Sequence, residues 1–511
     1  MKTILGIDIG TSGTKTILVD DQGRVIAAKT IEYPMEAPKP GWTQQNPQDW
    51  WAASVESIRA VLAKANVPAQ DIAAIGLSGQ MHGMVALDEH GQVVRPAILW
   101  NDQRTEKQCE EITEAAGGLE ELLKLTNNRM LTGYTGGKIL WMKENEPENF
   151  AKTRVILNPK DYIRFMLTGE KATEVADASG TGFFDVKNRV FSDELIAKLG
   201  LPRSLFPRCY ESYEVAGTVT EEVAKLTGLR AGLPVTAGGG DAVIQTTGTG
   251  LVRQGVLGVV IGTSGVVAMG LDGFKENKGG QLQVFCNNAK HLWHAMGVTL
   301  AAGGSYRWYR DTLCKAEMEE AARTGRNVYD IMGEEAEKVA PGCGGLIFLP
   351  YLSGERCPHF DSDARGVFYG LGLEHGKGAM TRAVMEAFTF SLRDVSERIY
   401  AMDASIKPEK VILSGGGAMS PLWRQIVADV FNLPVVTVSG SGEGGAYGAA
   451  LVAGVGVGIW KNLIEASSVL REETRTLPIP ENVAVYDKTF ALYDKVYLAL
   501  KDSFKELTAV R

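Results

Sequence analysis

The sequence predicts an α/β protein of two lobes that repeat one strand-rich plan, with a cleft between them. Three observations lead to this. The chain has 511 residues, more than one hydrophobic core usually serves, so two domains of roughly 200–250 residues are expected. The pentapeptide Ile-Gly-Thr-Ser-Gly occurs at Ile9 to Gly13 and again, 252 positions later, at Ile261 to Gly265. Each copy lies between two apolar runs near the start of a half-chain, which points to duplication of a module.

The elements follow in order. ILGIDIG, KTILVDD and RVIAAKTIEY read as strand, turn, strand, turn, strand, an antiparallel meander. Asn46-Pro47 then opens a helix through WWAASVESIRAVLAKA, and DIAAIGLSGQM is an apolar strand that runs into a polar turn. The second half partly repeats this. GVLGVVIGTSGVVAMGL gives two apolar runs around the duplicated turn, HLWHAMGV another strand, and KVILSGG a strand that leads into the helix of SPLWRQIVADVF. AVYDKTFALYDKVYLALKDSFKEL closes the chain as an amphipathic packing helix. The expected domains are 1–248 and 249–511, with the glycine-rich stretch from Thr246 to Gly255 as boundary and hinge.

Composition narrows the function. The chain is 45% apolar and 22% charged with net charge −8, and no Lys/Arg cluster is long enough to follow a phosphate backbone. Nucleic acid and membrane are therefore excluded as partners. The N-terminal MKTILGIDIG lacks a signal-peptide pattern, so a cytoplasmic protein is expected. The six cysteines form no Cys-x-x-Cys pair and read as structural thiols. His291 and His294 stand three apart on an expected strand, which puts them on opposite faces and argues against a metal pair.

Chemistry concentrates in five places. In the first turn, Gly10, Thr11, Ser12 and Gly13, followed by Lys15, offer hydroxyls and open backbone N–H groups that suit a phosphate. Asp8 stands beside that turn, where a divalent cation would want an oxygen ligand, and the second copy has Val260 in its place. Three glycines, Gly238 to Gly240, deliver Asp241, a candidate base for an acceptor hydroxyl. Two strand ends carry bursts of amides, charges and an indole that suit a polyol: Gln80 and His82, then Trp100, Asn101, Asp102, Gln103 and Arg104. The strand–glycine–helix run at Gly415 to Gly417 makes a flat platform for a base and its ribose. Gly440 to Gly445 fits G-x-G-x-x-G after an apolar run, but stands too near the C-terminus for a dinucleotide domain and is set aside.

Together these motifs resemble the FGGY carbohydrate kinases, members of the actin-like ATPase (ribonuclease H-like) superfamily. GIDIGTSGTK resembles the first phosphate motif, GVVIGTSG the second and LSGGGA the adenosine motif. GYTGGKILWMKEN and GVFYGLGLEHGKGAMTRAVMEAF resemble the two family signatures. SGQMHG, PAILWNDQRT, NPKDYIRFMLTGE and LPYLSGERCPH resemble the members that phosphorylate D-xylulose. The resemblance implies ATP and Mg²⁺ as cofactors, Asp241 as catalytic base, and Asp8 as an activity-determining carboxylate near metal and phosphates. It implies sugar contacts at Gln80, Met81, His82, Trp100, Asp102, Arg104 and Asp241. It implies nucleotide contacts at Thr11, Ser12, Gly13, Lys15, Gly262, Thr263, Gly415, Gly416 and Gly417. The expected reaction is transfer to the terminal hydroxyl of D-xylulose, giving D-xylulose 5-phosphate, by an enzyme whose partners are small molecules and for which a homodimer is admitted. Ribulose, L-xylulose, gluconate or another polyol is the alternative substrate, and a non-catalytic actin-fold ATPase is the rival class. Two departures bear on this. Ala242 stands where many relatives carry Asn or Gln, and Met419 where a basic residue is common after GGGA.

Overall fold

The computed structural model describes residues 2–510. In chain order the elements that matter for the site begin with β1 (Thr3–Ile9), β2 (Gly13–Asp20), β3 (Val25–Glu32), α1 (Pro47–Ala65), β4 (Ile72–Gly79), α2 (Thr135–Asn145), α3 (Pro159–Thr168) and α4 (Val175–Ser179). Next come β5 (Val215–Thr218), β6 (Pro234–Thr236), β7 (Gly239–Gly240), α5 (Asp241–Gly248), β8 (Val256–Ile261), β9 (Gly265–Asp272) and α6 (Gly303–Leu313). The last are α7 (Lys377–Tyr400), β10 (Lys410–Ser414), α8 (Pro421–Phe431), β11 (Val435–Val438), α9 (Gly445–Gly456), β12 (Glu472–Thr476) and α10 (Pro480–Val510). Two compact units result. One holds Met1–Arg253, Gly270–His294 and Gly440–Arg471, the other Gln254–Met269, Ala295–Ser439 and Glu472–Arg511.

The first unit is built on a sheet of order β5-β6-β4-β1-β2-β3, with β7 also pairing β4. The meander is antiparallel throughout, and β1 pairs β4 in parallel. Helix α1 starts where Asn46 caps it by accepting the N–H of Gln48, with Pro47 in the first turn, and it ends on Asn66 in the left-handed region. The two faces of β1 go to two different cores. Leu5, Ile7 and Ile9 join Trp50, Ile58 and Leu77 on one side, while Ile4 joins Ala446, Ala449 and Ala450 of α9 on the other. Burial on both faces explains why the strand reads as an apolar run rather than an alternation.

Helix α9 lies unusually close to the sheet. A Cβ added at Gly6 would sit 2.0 Å from the Ala446 carbonyl oxygen, and one at Gly76 would sit 1.9 Å from that of Ala449. The helix is Gly- and Ala-rich because main chain, not side chains, meets the strands here.

In the second unit the strand order β9-β8-β10-β11-β12 repeats β2-β1-β4-β6-β5 of the first. The sense of each pairing repeats too: antiparallel, parallel, parallel, antiparallel. Register carries the repeat to single residues. Asp8 pairs with Ser78, and Val260 pairs with Ser414. The two identical pentapeptides nevertheless fold differently. Ile9 pairs with Thr14 but Ile261 pairs with Gly265, so the second hairpin loop is one residue shorter.

His291 precedes a strand at Leu292–Thr299, and His294 lies buried within it, where burial lowers its pKa to about 4. Among the described residues no group of three or more His, Cys, Asp or Glu could hold a metal by itself, and no helix is long and apolar enough to cross a membrane.

Gly6→Ala forces a methyl into the Ala446 carbonyl. It should destabilise the protein by about 1–3 kcal/mol, read from urea unfolding, whereas Ala at Gly118, where nothing lies within 4 Å of the added carbon, should cost less despite its positive φ.

Candidate active site

Parallel pairing places the reactive groups of the first unit at the carboxyl ends of its strands, where open α/β sheets hold their ligands. Asp8 is the eighth residue of the chain and the sixth of β1. Its Oδ1 accepts a 2.6 Å hydrogen bond from Ser78 Oγ. Burial raises its pKa, while the Ser78 bond and the charge of Lys15 work against that rise. Lys15, the register partner of Asp8, directs its ammonium to Glu443 Oε2 at 2.7 Å and to the Gly442 carbonyl at 3.1 Å.

Gly442 and Glu443 belong to the G-x-G-x-x-G run that the sequence reading set aside. Within that run, Gly445 is where α9 reaches Asp8. A Cβ at Gly445 would lie 2.2 Å from Ser78 Oγ and 2.9 Å from Asp8 Oδ1. The last glycine is there to admit the Asp8–Ser78 pair.

Asp241 opens α5 directly after Gly239 and Gly240, which pair with Ser78 and Gly79. Its Oδ1 accepts the Ala242 N–H at 2.7 Å. Desolvation, and then the charge of Asp8, raise its pKa to about 7, against the lowering effect of hydrogen bonds from the Ala242 and Met81 backbone. Beneath it, Glu174 accepts the Gly240 N–H at 3.3 Å and the Ser212 hydroxyl at 2.8 Å.

Met81 sits against this turn, and His82 packs on Gly180. A Cβ at Gly240 would be 2.5 Å from Met81 Cγ, and one at Gly180 would be 2.5 Å from His82 Cε1. His82 adopts a left-handed φ of 70°, with Nδ1 2.7 Å from the Gly180 carbonyl oxygen and its ring 4.7 Å from that of Tyr134. The unusual backbone is pinned by Thr135 Oγ1 and Lys138 Nζ, which donate to the His82 carbonyl at 3.1 and 2.8 Å. Lys138 is fully buried, and desolvation lowers its pKa to about 7. It lies in the GYTGGKILW signature, which is the signal for it in the sequence.

The first turn and the first polar burst form one network. Thr11 Oγ1 donates to Gln80 Oε1 at 3.2 Å and accepts from the Trp100 indole at 2.9 Å. Gln45, unremarked in the sequence, ties both together by donating to the Thr11 carbonyl at 2.8 Å and accepting from Gln80 Nε2 at 3.1 Å. Trp100 is 44% exposed. Asp102 and Arg104 are placed otherwise. They are buried and paired with each other at 2.7 Å, Asp102 accepts the Thr43 N–H at 2.6 Å, and the guanidinium lies 3.8 Å above the Trp42 ring.

In the second unit, Gly262, Thr263, Gly416 and Gly417 meet at a cavity of about 450 Å³. Gly415, just behind, has φ 82° and no room for a Cβ beside the Ile261 carbonyl oxygen, 2.5 Å away. Ser420 caps α8 by accepting the Trp423 N–H. Met419 is 81% exposed and lines the cavity. Sequence reasoning missed its aromatic wall, in which the Tyr306 ring stacks on Tyr329 at 5.4 Å and meets Trp423 edge-on at 5.2 Å. Flat rings beside a glycine platform can take a planar base.

Known proteins resemble this chain in sequence and fold over its whole length. The FGGY family of carbohydrate kinases matches through its N-terminal domain at residues 3–248 and its C-terminal domain at 257–457. The chain is 39% identical over 512 residues to a xylulose kinase of Bacillus subtilis (strain 168), covering 100% of both chains. It is 29% identical over 505 residues to a gluconokinase of the same organism, covering 99% of this chain and 97% of that one. The solved structure of ligand-bound xylulose kinase from Lactobacillus acidophilus superposes with a TM-score of 0.90 at 28% identity, covering 99% of this chain and 100% of that one. The chain thus belongs to the FGGY family of carbohydrate kinases, with their actin-like ATPase fold, and is a sugar kinase that takes its phosphoryl group from ATP.

Proposed function

We propose that the sugar is D-xylulose and that the product is D-xylulose 5-phosphate. The observation that carries the acceptor chemistry is the Asp241 carboxyl, raised to a pKa of about 7 by desolvation and the charge of Asp8, beside Gly240 where the chain packs on Met81. The higher identity to a xylulose kinase, 39% against 29% for a gluconokinase, supports the choice of sugar. We assign the sugar and the first phosphate motif to residues 1–248, and the adenosine and the second phosphate motif to 249–511.

Asp241 accepts the proton of the terminal hydroxyl as that oxygen attacks the γ-phosphorus in line. A base with pKa near the working pH combines availability with driving force. Gln80, Met81, His82 and Trp100 bind the sugar, and Asp102 and Arg104 serve it by fixing the loop that presents Trp100. Thr11, Ser12, Gly13 and Lys15, with Gly262 and Thr263, contact the phosphates, and Gly415, Gly416 and Gly417 carry the adenosine.

A magnesium ion fits the donors present. Apart from the base Asp241, the corner offers one carboxylate, Asp8, with the Ser78 hydroxyl beside it, rather than a cage, which suits an ion that arrives with the phosphates and keeps most of its other ligands. Bound there, it would neutralise charge on the transferring group. The six cysteines are free thiols, which suits a reducing cytoplasm.

Sugar-dependent ADP release with product identification across D-xylulose, L-xylulose, D-ribulose, L-ribulose, glycerol and gluconate tests the reading. D-Xylulose should give the highest kcat/KM. Ala242 removes an amide beside the base, and a preference for gluconate or another ketose would move the assignment to that sugar. Asp241→Asn should lower turnover roughly 10²–10⁴-fold; equal turnover would rule out Asp241 as base. The base works ionised, so kcat/KM in the wild type should rise with pH, level off above about pH 7, and lose this limb in the variant.

A further inference from the structure

Glu355 is 4% exposed and stands in the LSGER stretch of the second unit, outside the lining of the nucleotide cavity. Burying a carboxyl is costly unless its oxygens are well satisfied, and here they are. Oε1 accepts the N–H groups of Leu300 at 2.9 Å and Arg356 at 2.7 Å, and Oε2 accepts the Thr299 hydroxyl at 2.5 Å. The residue's own backbone is fixed by two hydrogen bonds exchanged with Asp361, at 2.8 and 2.9 Å.

What Glu355 holds leads to the second Gly-Thr-Ser-Gly turn. Thr299, its hydrogen-bond donor, packs so tightly on Gly265 that an added Cβ would lie 2.7 Å from Thr299 Cγ2. Four residues on, the Gly303 N–H donates to the Gly262 carbonyl and the Gly304 N–H to the Thr263 carbonyl, each at 2.8 Å. These two bonds occupy the carbonyls of the turn. Its orientation is thereby set with the carbonyls turned to α6, which keeps them from facing a phosphate. We propose that Glu355 is a positioning residue for this turn: through Thr299 and Leu300 it fixes the segment whose glycine amides orient Gly262 and Thr263 toward the nucleotide phosphates. Burial raises its carboxyl pKa to about 7, in keeping with a group retained for its hydrogen bonds rather than its charge. The proposal rests on the reading that this turn receives the nucleotide.

The test measures ADP binding by calorimetry without sugar, together with KM for ATP and for D-xylulose, in Glu355→Ala, Glu355→Gln and Thr299→Val. Glu355→Ala should weaken ADP roughly tenfold and raise KM for ATP alike, with KM for D-xylulose unchanged. Glu355→Gln can accept both N–H groups and donate to the Thr299 hydroxyl, so it should return to within about twofold of wild type. Thr299→Val keeps the shape and removes the hydroxyl's bonds with Glu355, Ser391 and the Ala301 N–H; it should shift in the same direction, and it decides the matter if the alanine variant does not fold. Gly416→Leu, whose side chain enters open space at the cavity, is the control. Loss of ADP binding there, with wild-type affinity in the Glu355 and Thr299 variants, overturns the proposal and leaves the nucleotide site standing. Equal damage to ATP and sugar KM also overturns it. Unchanged ADP binding in every variant, Gly416→Leu included, overturns both.

Discussion

Strand β4 sets the spacing on which the acceptor chemistry depends. Ser78 is paired with Asp8 of β1 on one side and with Gly239 of β7 on the other. At parallel-sheet spacing this holds the two flanking backbones about 10 Å apart, and Asp241 follows two residues after Gly239. Two carboxyls are thus committed to one partly dry corner by backbone hydrogen bonds, not by any attraction between them. Desolvation first, and the repulsion from Asp8 after it, hold Asp241 far above an ordinary aspartate. The surroundings are consistent with that task. Glycine at 445 leaves room for the Asp8–Ser78 pair, and Glu174 secures the backbone just before Asp241.

The repeat shows how one topology came to serve two tasks. Strand order, pairing sense and even the serine of the third strand recur in both units. At the position facing that serine, one unit has Asp8 and the other Val260. The second unit instead opens a cavity walled by Tyr306, Tyr329 and Trp423 over glycines 416 and 417. Unequal loop lengths around the same pentapeptide make a further point. Turn sequence alone does not set turn geometry; in the second unit the carbonyls of Gly262 and Thr263 are tied to Gly303 and Gly304, about forty residues away in the chain.

Local pattern made much of the fold legible. The meander, the Asn46-Pro47 helix start and the apolar strand into Gln80 are short-range signals, and all three are present as read. The glycine run at 440 to 445 was visible but its purpose was not, because the atoms that exclude a side chain there come from residues 8 and 78. Arg104 likewise reads as an available cation until Trp42 and Asp102 are seen around it. Lys138, Gln45 and Glu355 act through hydrogen bonds to backbone or side chains far away in sequence, and such bonds leave no periodicity to detect.

The central claim is that Asp241 titrates near neutrality because it is desolvated beside Asp8. Its pKa can be read by ¹³C NMR of aspartate-labelled protein, with Asp241→Asn to assign the resonance and Asp8→Asn to remove the neighbouring charge. The account predicts a titration at about pH 7 in the wild type and a lower one in Asp8→Asn. An Asp241 that titrates in the ordinary carboxylate range, or one unmoved by the loss of Asp8, would contradict it.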